Sequence, residues 1–469
     1  PESMPAWDDV PEDEKAFQAR LMEVYAGFIE HTDAQVGRLV DEIDELGYKD
    51  NTVFFYLWGD NGASSEGQNG TLAELLAQNA IPTTTKQQIE AMNKVGSIDE
   101  LGGPKFENMA HAAWAWAGSS PYKSTKLVAA HFGGTRQPLA VRWPAKIEPD
   151  ATPRSQFHHV NDIAPTIYDI LDITPPKVVN GHVQDEIDGK SMTYSFDDAD
   201  VKGQKKTQYF EILGSRGIYH DGWFASAFGP RAPWVQGMPE GFREWSPETD
   251  KWELYHIDED WSQAVDLADK YPEKLEEMKA IFKQEAQDNK AFPIGGSLWS
   301  TAAHSPQDAP ESKYTQWTYP DEITRIPEIA APKVGNRSTL VEFDAVVTPD
   351  TNGVLYAVGA FSGGMTVYVK DGKLNYEYNL FLMEHTHIQS EKVLPEGEVT
   401  IEVESIATKP GPFTPFDITI KVNGETFASG VVPKTAPSFF SFNDGFDIGS
   451  DLGSPVSQAY YDEMPFKFD

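Results

Sequence analysis

Cysteine is absent from the 469 residues, which excludes disulfides, thiolate metal sites and a cysteine nucleophile within this chain. Positive charge is scarce: 38 Lys and Arg stand against 73 Asp and Glu, a formal charge of −35. Such a surface repels phosphate backbones and anionic lipid, so a nucleic-acid partner is not expected. No apolar run approaches the roughly 18 residues of a membrane-spanning helix. The length of 469 residues allows two or three domains.

Against these absences, residues 52–64 stand out, where the apolar run Thr52-Val53-Phe54-Phe55-Tyr56-Leu57-Trp58 stops at Gly59-Asp60-Asn61-Gly62. β-Branched and aromatic residues without polar alternation predict a strand buried on both faces, as in a parallel sheet. Asp60 and Asn61 then sit at its carboxyl end, where ligands bind in open α/β sheets. Asp-Asn-Gly is also ordinary turn chemistry, and Asn-Gly is a strong hairpin signal when strands flank it. The right flank, Ser64 to Gly70, offers no alternating partner strand. The segment therefore reads as a metal or anion site.

Upstream, Phe17, Leu21, Val24, Phe28, Val36, Leu39, Ile43 and Leu46 recur at helical spacing and predict an amphipathic helix over 13–46, with Gly47 as its C-terminal cap. Downstream, short helices are expected from Leu72 and from Gln87. The Trp114-Ala115-Trp116 stretch reads as core or pocket wall. Lys126, His131 and Arg136 surround Gly133-Gly134 ahead of a second apolar strand, Leu139 to Trp143. Singly each cation is ordinary surface, but grouped before a buried strand they form a plausible anion-binding loop. A helix is expected from Asn161 or Asp162 to Leu171, with His158 and His159 structural. Short strands over 207–257 predict an antiparallel sheet, closed by a helix over 272–288. A Pro-, Ser- and Thr-rich linker follows, and from Ser338 period-two alternation with regular glycine turns predicts a β-sandwich.

Several of these segments together resemble the type I sulfatases, more closely their large bacterial arylsulfatase branch. The resemblance is carried by Asp60-Asn61-Gly62-Ala63-Ser64, Glu66-Gly67, Gly70-Thr71, Gly133 to Pro138, Arg142-Trp143-Pro144, His159 to Thr166, Tyr209 to Trp223, and Trp252-Glu253-Leu254-Tyr255 with Asp258. It implies that Asp60 and Asn61 are two oxygen ligands of a divalent cation, calcium or alternatively magnesium, for which hard oxygen donors are suited. It implies a hydrated formylglycine nucleophile, made from Cys or Ser in a Cys/Ser-x-Pro-x-Arg motif, that attacks sulfur. It also implies a lysine that stabilises charge developing on the sulfate. By position that lysine is Lys126; Lys123 competes, because the spacing from Lys126 to His131 is one residue longer than in the family.

The nucleophile motif itself is missing. Ser119-Ser120-Pro121-Tyr122-Lys123 has Lys in place of Arg and stands too far toward the C terminus. The further metal carboxylates of the family are also not found. The resemblance thus implies the C-terminal portion of an α/β sulfatase domain over 1–200, with partly parallel or mixed sheet. An antiparallel subdomain follows over 201–292, a linker over 293–335, and a jelly-roll or laminin-G-like sandwich over 336–469. The expected activity is hydrolysis of a small-molecule or glycan sulfate ester, with the missing N-terminal region as partner and the present chain inactive alone. A periplasmic or secreted bacterial location is expected over a cytoplasmic one. The alternatives are a phosphoesterase of the alkaline phosphatase superfamily and a non-catalytic protein that binds calcium and glycan.

Overall fold

The computed structural model describes residues 4–59, 61–235, 241–296 and 314–469. Contacts divide the chain into two compact units, one drawn from 1–26, 66–112 and 310–469, the other from 27–65 and 113–309. Helix α1 (Glu12–Glu45) belongs to both. Its apolar stripe begins buried, at Phe17 and Leu21, and continues exposed at Phe28 and Leu39. Gly47 follows in the left-handed conformation (φ 81°) that ends the helix as expected.

In the second unit, β1 (Phe54–Leu57) pairs with β2 (Leu139–Arg142), in the register Phe54↔Arg142 and Leu57↔Leu139. The pairing is antiparallel, as is every pairing between the named strands, so the expectation of a parallel strand is corrected. The physical reason lies in the return path. The Trp58 N–H donates to the Pro138 carbonyl at 3.3 Å, so the chain re-enters the sheet at the end where it left. Both strands are only half-buried, and the unbroken apolar run did not report direction. For the site the difference is decisive, because antiparallel pairing brings the end of β1 and the start of β2 together.

Helix α4 (Ala112–Ser119) leads into the loop before β2, and the single turn α5 (Phe132–Thr135) ends that loop. Helix α6 (Ile163–Ile170) follows a 3₁₀ turn, and its entry is fixed by a reciprocal cap. The His159 imidazole accepts from the Asn161 N–H, and the Asp162 carboxylate accepts from the His159 N–H. The side-chain cap is therefore made one turn earlier than expected, with His159 in a structural role. Asp162 is fully buried and paired with the buried Lys205 at 2.7 Å. Burial opposes its ionisation, but the nearby His158 imidazole and hydrogen bonds from Lys205 and two backbone N–H groups hold its pKa down at about 2.

After a small ribbon, β3 (Val178–Val179) with β4 (His182–Val183), comes a four-stranded meander: β5 (Thr207–Ile212), β6 (Ser215–His220), β7 (Trp223–Ala227) and β8 (Trp252–His256). Period-two alternation separates its faces. Tyr209, Ile218, Ala225 and Leu254 pack with Met278, Phe282 and Ala286 of α7 (Pro272–Asp288). Phe210, Tyr219, Phe224 and Tyr255 face the other way and pack with Tyr122 and Phe132 of the loop before β2. The meander is thus the floor on which that loop rests.

In the first unit, α2 (Ala73–Gln78) and α3 (Thr85–Met92) precede the all-β region. Ten strands follow: β9 (Ile323–Pro327), β10 (Thr339–Val347), β11 (Gly353–Ala360), β12 (Gly363–Lys370), β13 (Lys373–Leu380), β14 (Glu384–Gln389), β15 (Gly397–Ala407), β16 (Phe416–Val422), β17 (Glu425–Val432) and β18 (Gly445–Ile448). They form two antiparallel sheets, β10-β15-β16-β17 and β14-β13-β12-β11-β18-β9. One core joins them, with Ile401, Val403 and Ile418 from the first sheet and Val358, Val367 and Tyr376 from the second. Leu72, Leu75 and Leu76 of the α2 region enter the same core. The stretch read as linker contains β9; its residues 297–313 lie outside the described ones.

Candidate functional site

Asp60 lies outside the described residues. Asn61 and the loop bearing Lys126 are both in the second unit, and backbone hydrogen bonds tie their segments together. The Gly62 N–H donates to the Gly134 carbonyl at 3.0 Å, and the Lys126 N–H to the Ala63 carbonyl at 3.1 Å. Beside them, the hydroxyls of Ser65 and Thr125, both buried, are 2.6 Å apart. Glycine is required by this approach. A β-carbon on Gly62 would lie 1.7 Å from the Gly133 carbonyl oxygen, and one on Gly133 would lie 2.0 Å from that of Ser124. The sequence motifs around Asn61-Gly62 and Gly133-Gly134 are two halves of one backbone contact.

Within the loop, Ser124 (φ 65°) and Leu127 (φ 70°) adopt left-handed backbone on either side of Thr125-Lys126. For a leucine this conformation is strained, at a cost of order 1–3 kcal/mol that the surrounding structure must hold. Hydrogen bonds on both sides of the loop hold it. The Gly133 N–H donates to the Lys123 carbonyl at 2.8 Å. The buried Gln263 side chain accepts from the Phe132 N–H at 2.7 Å and donates to the Ala130 carbonyl at 3.1 Å.

Arg136, Lys123 and His131 take part in anchoring the loop. Arg136 donates to the Trp261 carbonyl at 3.2 Å and lies over the ring of Tyr122 at 5.4 Å. Lys123 donates to the Tyr255 hydroxyl at 3.0 Å, and the Tyr255 hydroxyl donates to Glu253 Oε2 at 2.7 Å. His131 Nε2 meets the same Glu253 oxygen at 2.9 Å, and His131 Nδ1 meets Ser124 Oγ at 2.8 Å. The bond from His131, against the opposing effect of burial and with help from Tyr255, holds the Glu253 pKa down at about 2. Burial, and then the Glu253 carboxylate, push the Tyr255 phenol well up. Ser, His and Glu in contact suggest a nucleophilic triad, but Ser124 is buried, at 1% exposure, which removes it from any substrate.

A divalent cation would draw on Asp60 and Asn61. Their oxygens suit a hard ion, but two donors are a minority of the six to eight that calcium takes. Among the described residues no group of three or more His, Asp or Glu could hold a metal ion. Asp60 and Asn61 fit such an ion in kind, and among the described residues no further cluster adds to them.

Residues 2–173 match the sulfatase family model. This segment is similar to the sulfatases. The chain is also similar to an uncharacterised sulfatase of Schizosaccharomyces pombe, 29% identical over 283 residues, which covers 58% of this chain and 44% of the relative. An arylsulfatase of Klebsiella aerogenes is 26% identical over 173 residues, 36% of this chain and 34% of the relative. The chain thus spans less than half the length of these curated relatives. Among solved structures, a Bacteroides thetaiotaomicron protein described with glycosaminoglycan metabolism covers 55% of this chain and 43% of its own, at 19% identity and a TM-score of 0.36.

Glu253 and Tyr255 lie beyond the segment that matches the family model, and their roles were not assigned from sequence. The signal was present in β8, where Trp252 and Leu254 alternate with Glu253 and Tyr255. A carboxylate on the strand face that carries a buried tyrosine calls for buried donors. No described helix is long and apolar enough to cross a membrane.

Proposed function

We propose that this chain supplies part of the active site of a sulfuric ester hydrolase of the arylsulfatase type. Asp60 and Asn61 are two ligands of a divalent cation, calcium first and magnesium second, and Lys126 is the sulfate-binding lysine. The nucleophile, a formylglycine, comes from a region outside this chain. The observation that carries the reading is the register of the two loops, in which the Lys126 N–H is bonded to the residue two beyond Asn61-Gly62 begins, Ala63. A metal-ligand turn and a cation loop held backbone to backbone provide a fixed seat for a tetrahedral anion. Lys126 is preferred over Lys123 by its position in the loop, and the Lys123 ammonium donates to the Tyr255 hydroxyl at 3.0 Å.

In this reading the chain's own residues bind and orient. Lys126 faces charge that grows on the sulfate oxygens, where a preorganised cation counts most. Loop rigidity supplies the preorganisation, since the glycine contact and Gln263 leave the loop little freedom. The sandwich is read as jelly-roll or laminin-G-like and structural. The outer face of β11 and β12 is covered by Val456, Tyr460 and Phe466, which leaves that face closed to a ligand.

The test is release of sulfate from an aryl sulfate by the complete gene product, with an aryl phosphate as comparison. Turnover of the sulfate, lost on Asp60→Ala and on removal of calcium, is the expected result. Turnover of the phosphate ester alone would favour a phosphoesterase, and no turnover of either, with calcium still bound, a binding protein.

A further inference from the structure

The hydrogen bonds around Glu253 have a direction. As an ionised carboxylate Glu253 can only accept, and one oxygen, Oε2, takes both the Tyr255 hydroxyl at 2.7 Å and the His131 ring at 2.9 Å. With its Nε2–H given to Glu253, a neutral His131 accepts at Nδ1 from the Ser124 hydroxyl, 2.8 Å away. With its proton given to Glu253, the Tyr255 oxygen accepts from the Lys123 ammonium at 3.0 Å. Every donor in the series points toward one carboxylate. Both outer members, Lys123 and Ser124, are consecutive residues at the start of the strained loop, and His131 is near its end. Glu253 itself belongs to the regular strand β8.

We infer that Glu253 is a positioning residue for the candidate sulfate site: through His131 on one side and Tyr255 on the other it clamps both ends of the loop that carries Lys126. Lys123 is then a brace rather than a ligand. The inference rests on the proposed role of Lys126 for its catalytic consequence, but not for its structural one. A charge-assisted hydrogen bond is among the stronger contacts available to a partly buried loop. Two of them on one acceptor hold the backbone against the left-handed turns at Ser124 and Leu127, which would otherwise relax.

Glu253→Gln tests this, since the amide keeps the shape but loses the charge and half of the acceptor capacity. In the 469-residue chain, amide hydrogen exchange is expected to quicken by on the order of tenfold at Lys126, Gly133 and Gly134, and to stay unchanged at Ile218 and Phe224 in the sheet. Unchanged exchange in the loop, or a loss of protection spread evenly through the sheet, would overturn the clamp. In the complete gene product, kcat for an aryl sulfate is expected to fall about tenfold with KM held within about twofold, the pattern of a misplaced transition-state contact. Lys123→Met should follow Glu253→Gln in both measurements. A Lys123→Met variant with normal loop exchange but no turnover would make Lys123 the sulfate ligand and reject its role as a brace. If the unsubstituted protein releases no sulfate, the proposed reaction fails, while the exchange measurement still decides the clamp.

Discussion

Gly62 and Gly133 meet backbone to backbone, so closely that a β-carbon on Gly62 would stand 1.7 Å from the Gly133 carbonyl oxygen. Neither backbone has a flexible end that could move aside. Gly62→Ala is therefore expected to cost at least the 1–3 kcal/mol of typical overpacking, about a visible drop in urea midpoint, and to separate the two loops. Gly27→Ala is the internal contrast. Gly27 lies within α1, and an added β-carbon would meet nothing within 4 Å, so that variant should gain about 0.5–1 kcal/mol from helix propensity. Equal effects at the two positions would refute the packing argument.

The ion pair of Asp162 with Lys205 is buried on both sides, at 0% and 4% side-chain exposure. Lys205→Met leaves a carboxylate without its cation and should cost about 3–5 kcal/mol. Calorimetry on the single variant and on Lys205→Met with Asp162→Asn separates the cases. The second substitution should recover part of the loss, whereas additive losses would mean that the two residues act independently.

Glu328 makes stability depend on pH. Burial raises its pKa from 4.5 to about 7, against hydrogen bonds from the Phe440 and Ser441 N–H groups. Between those values the folded state holds a proton that the unfolded chain has released, so stability is fully present below about pH 4.5 and is lost as pH rises through about 7. The loss amounts to about 3 kcal/mol at 1.36 kcal/mol per unit. Both N–H groups donate to the same oxygen, Oε2, so glutamine preserves them. Denaturant melts at pH 5 and pH 8 should show Glu328→Gln losing less stability over this interval than the unsubstituted protein. Parallel losses would show that Glu328 does not titrate there.

How far the fold was legible in the sequence depended on where each segment sits. Helices α1 and α7, the meander and strands β10, β11, β12, β13, β15 and β16 of the sandwich announced themselves by period. Strands β9, β14, β17 and β18 did not; the first three are sheet edges, and β18, between β11 and β9, has only four residues. Edge strands carry polar residues and proline that blunt further pairing, as Pro327 and the Glu384-His385-Thr386-His387 run do, and these weaken the alternation that reveals a strand. The direction of β1 was misread for a different reason, because side-chain pattern reports burial and not the route by which the chain returns.

For the candidate site, the Asn61 turn and the Lys126 loop were legible as motifs, and the structure unites their backbones. His131 and Arg136 were grouped with Lys126 as anion binders from their charge alone, whereas their partners, Glu253 and the Trp261 carbonyl, lie more than a hundred residues away in sequence. Pairings of that range leave no local trace. The one trace was the carboxylate in β8, which has meaning only once the strand faces are assigned.

The claim that the Asn61 turn and the Lys126 loop form one sulfate-ester site is tested most directly by kcat of the complete gene product for an aryl sulfate with Lys126→Met. Loss of a single preorganised donor to a developing oxyanion typically costs about 10²- to 10³-fold. A fall of that size, in a variant whose melting temperature stays close to that of the unsubstituted protein, is the predicted result. Turnover within about threefold of the unsubstituted protein, a change in barrier below about 1 kcal/mol, would contradict it.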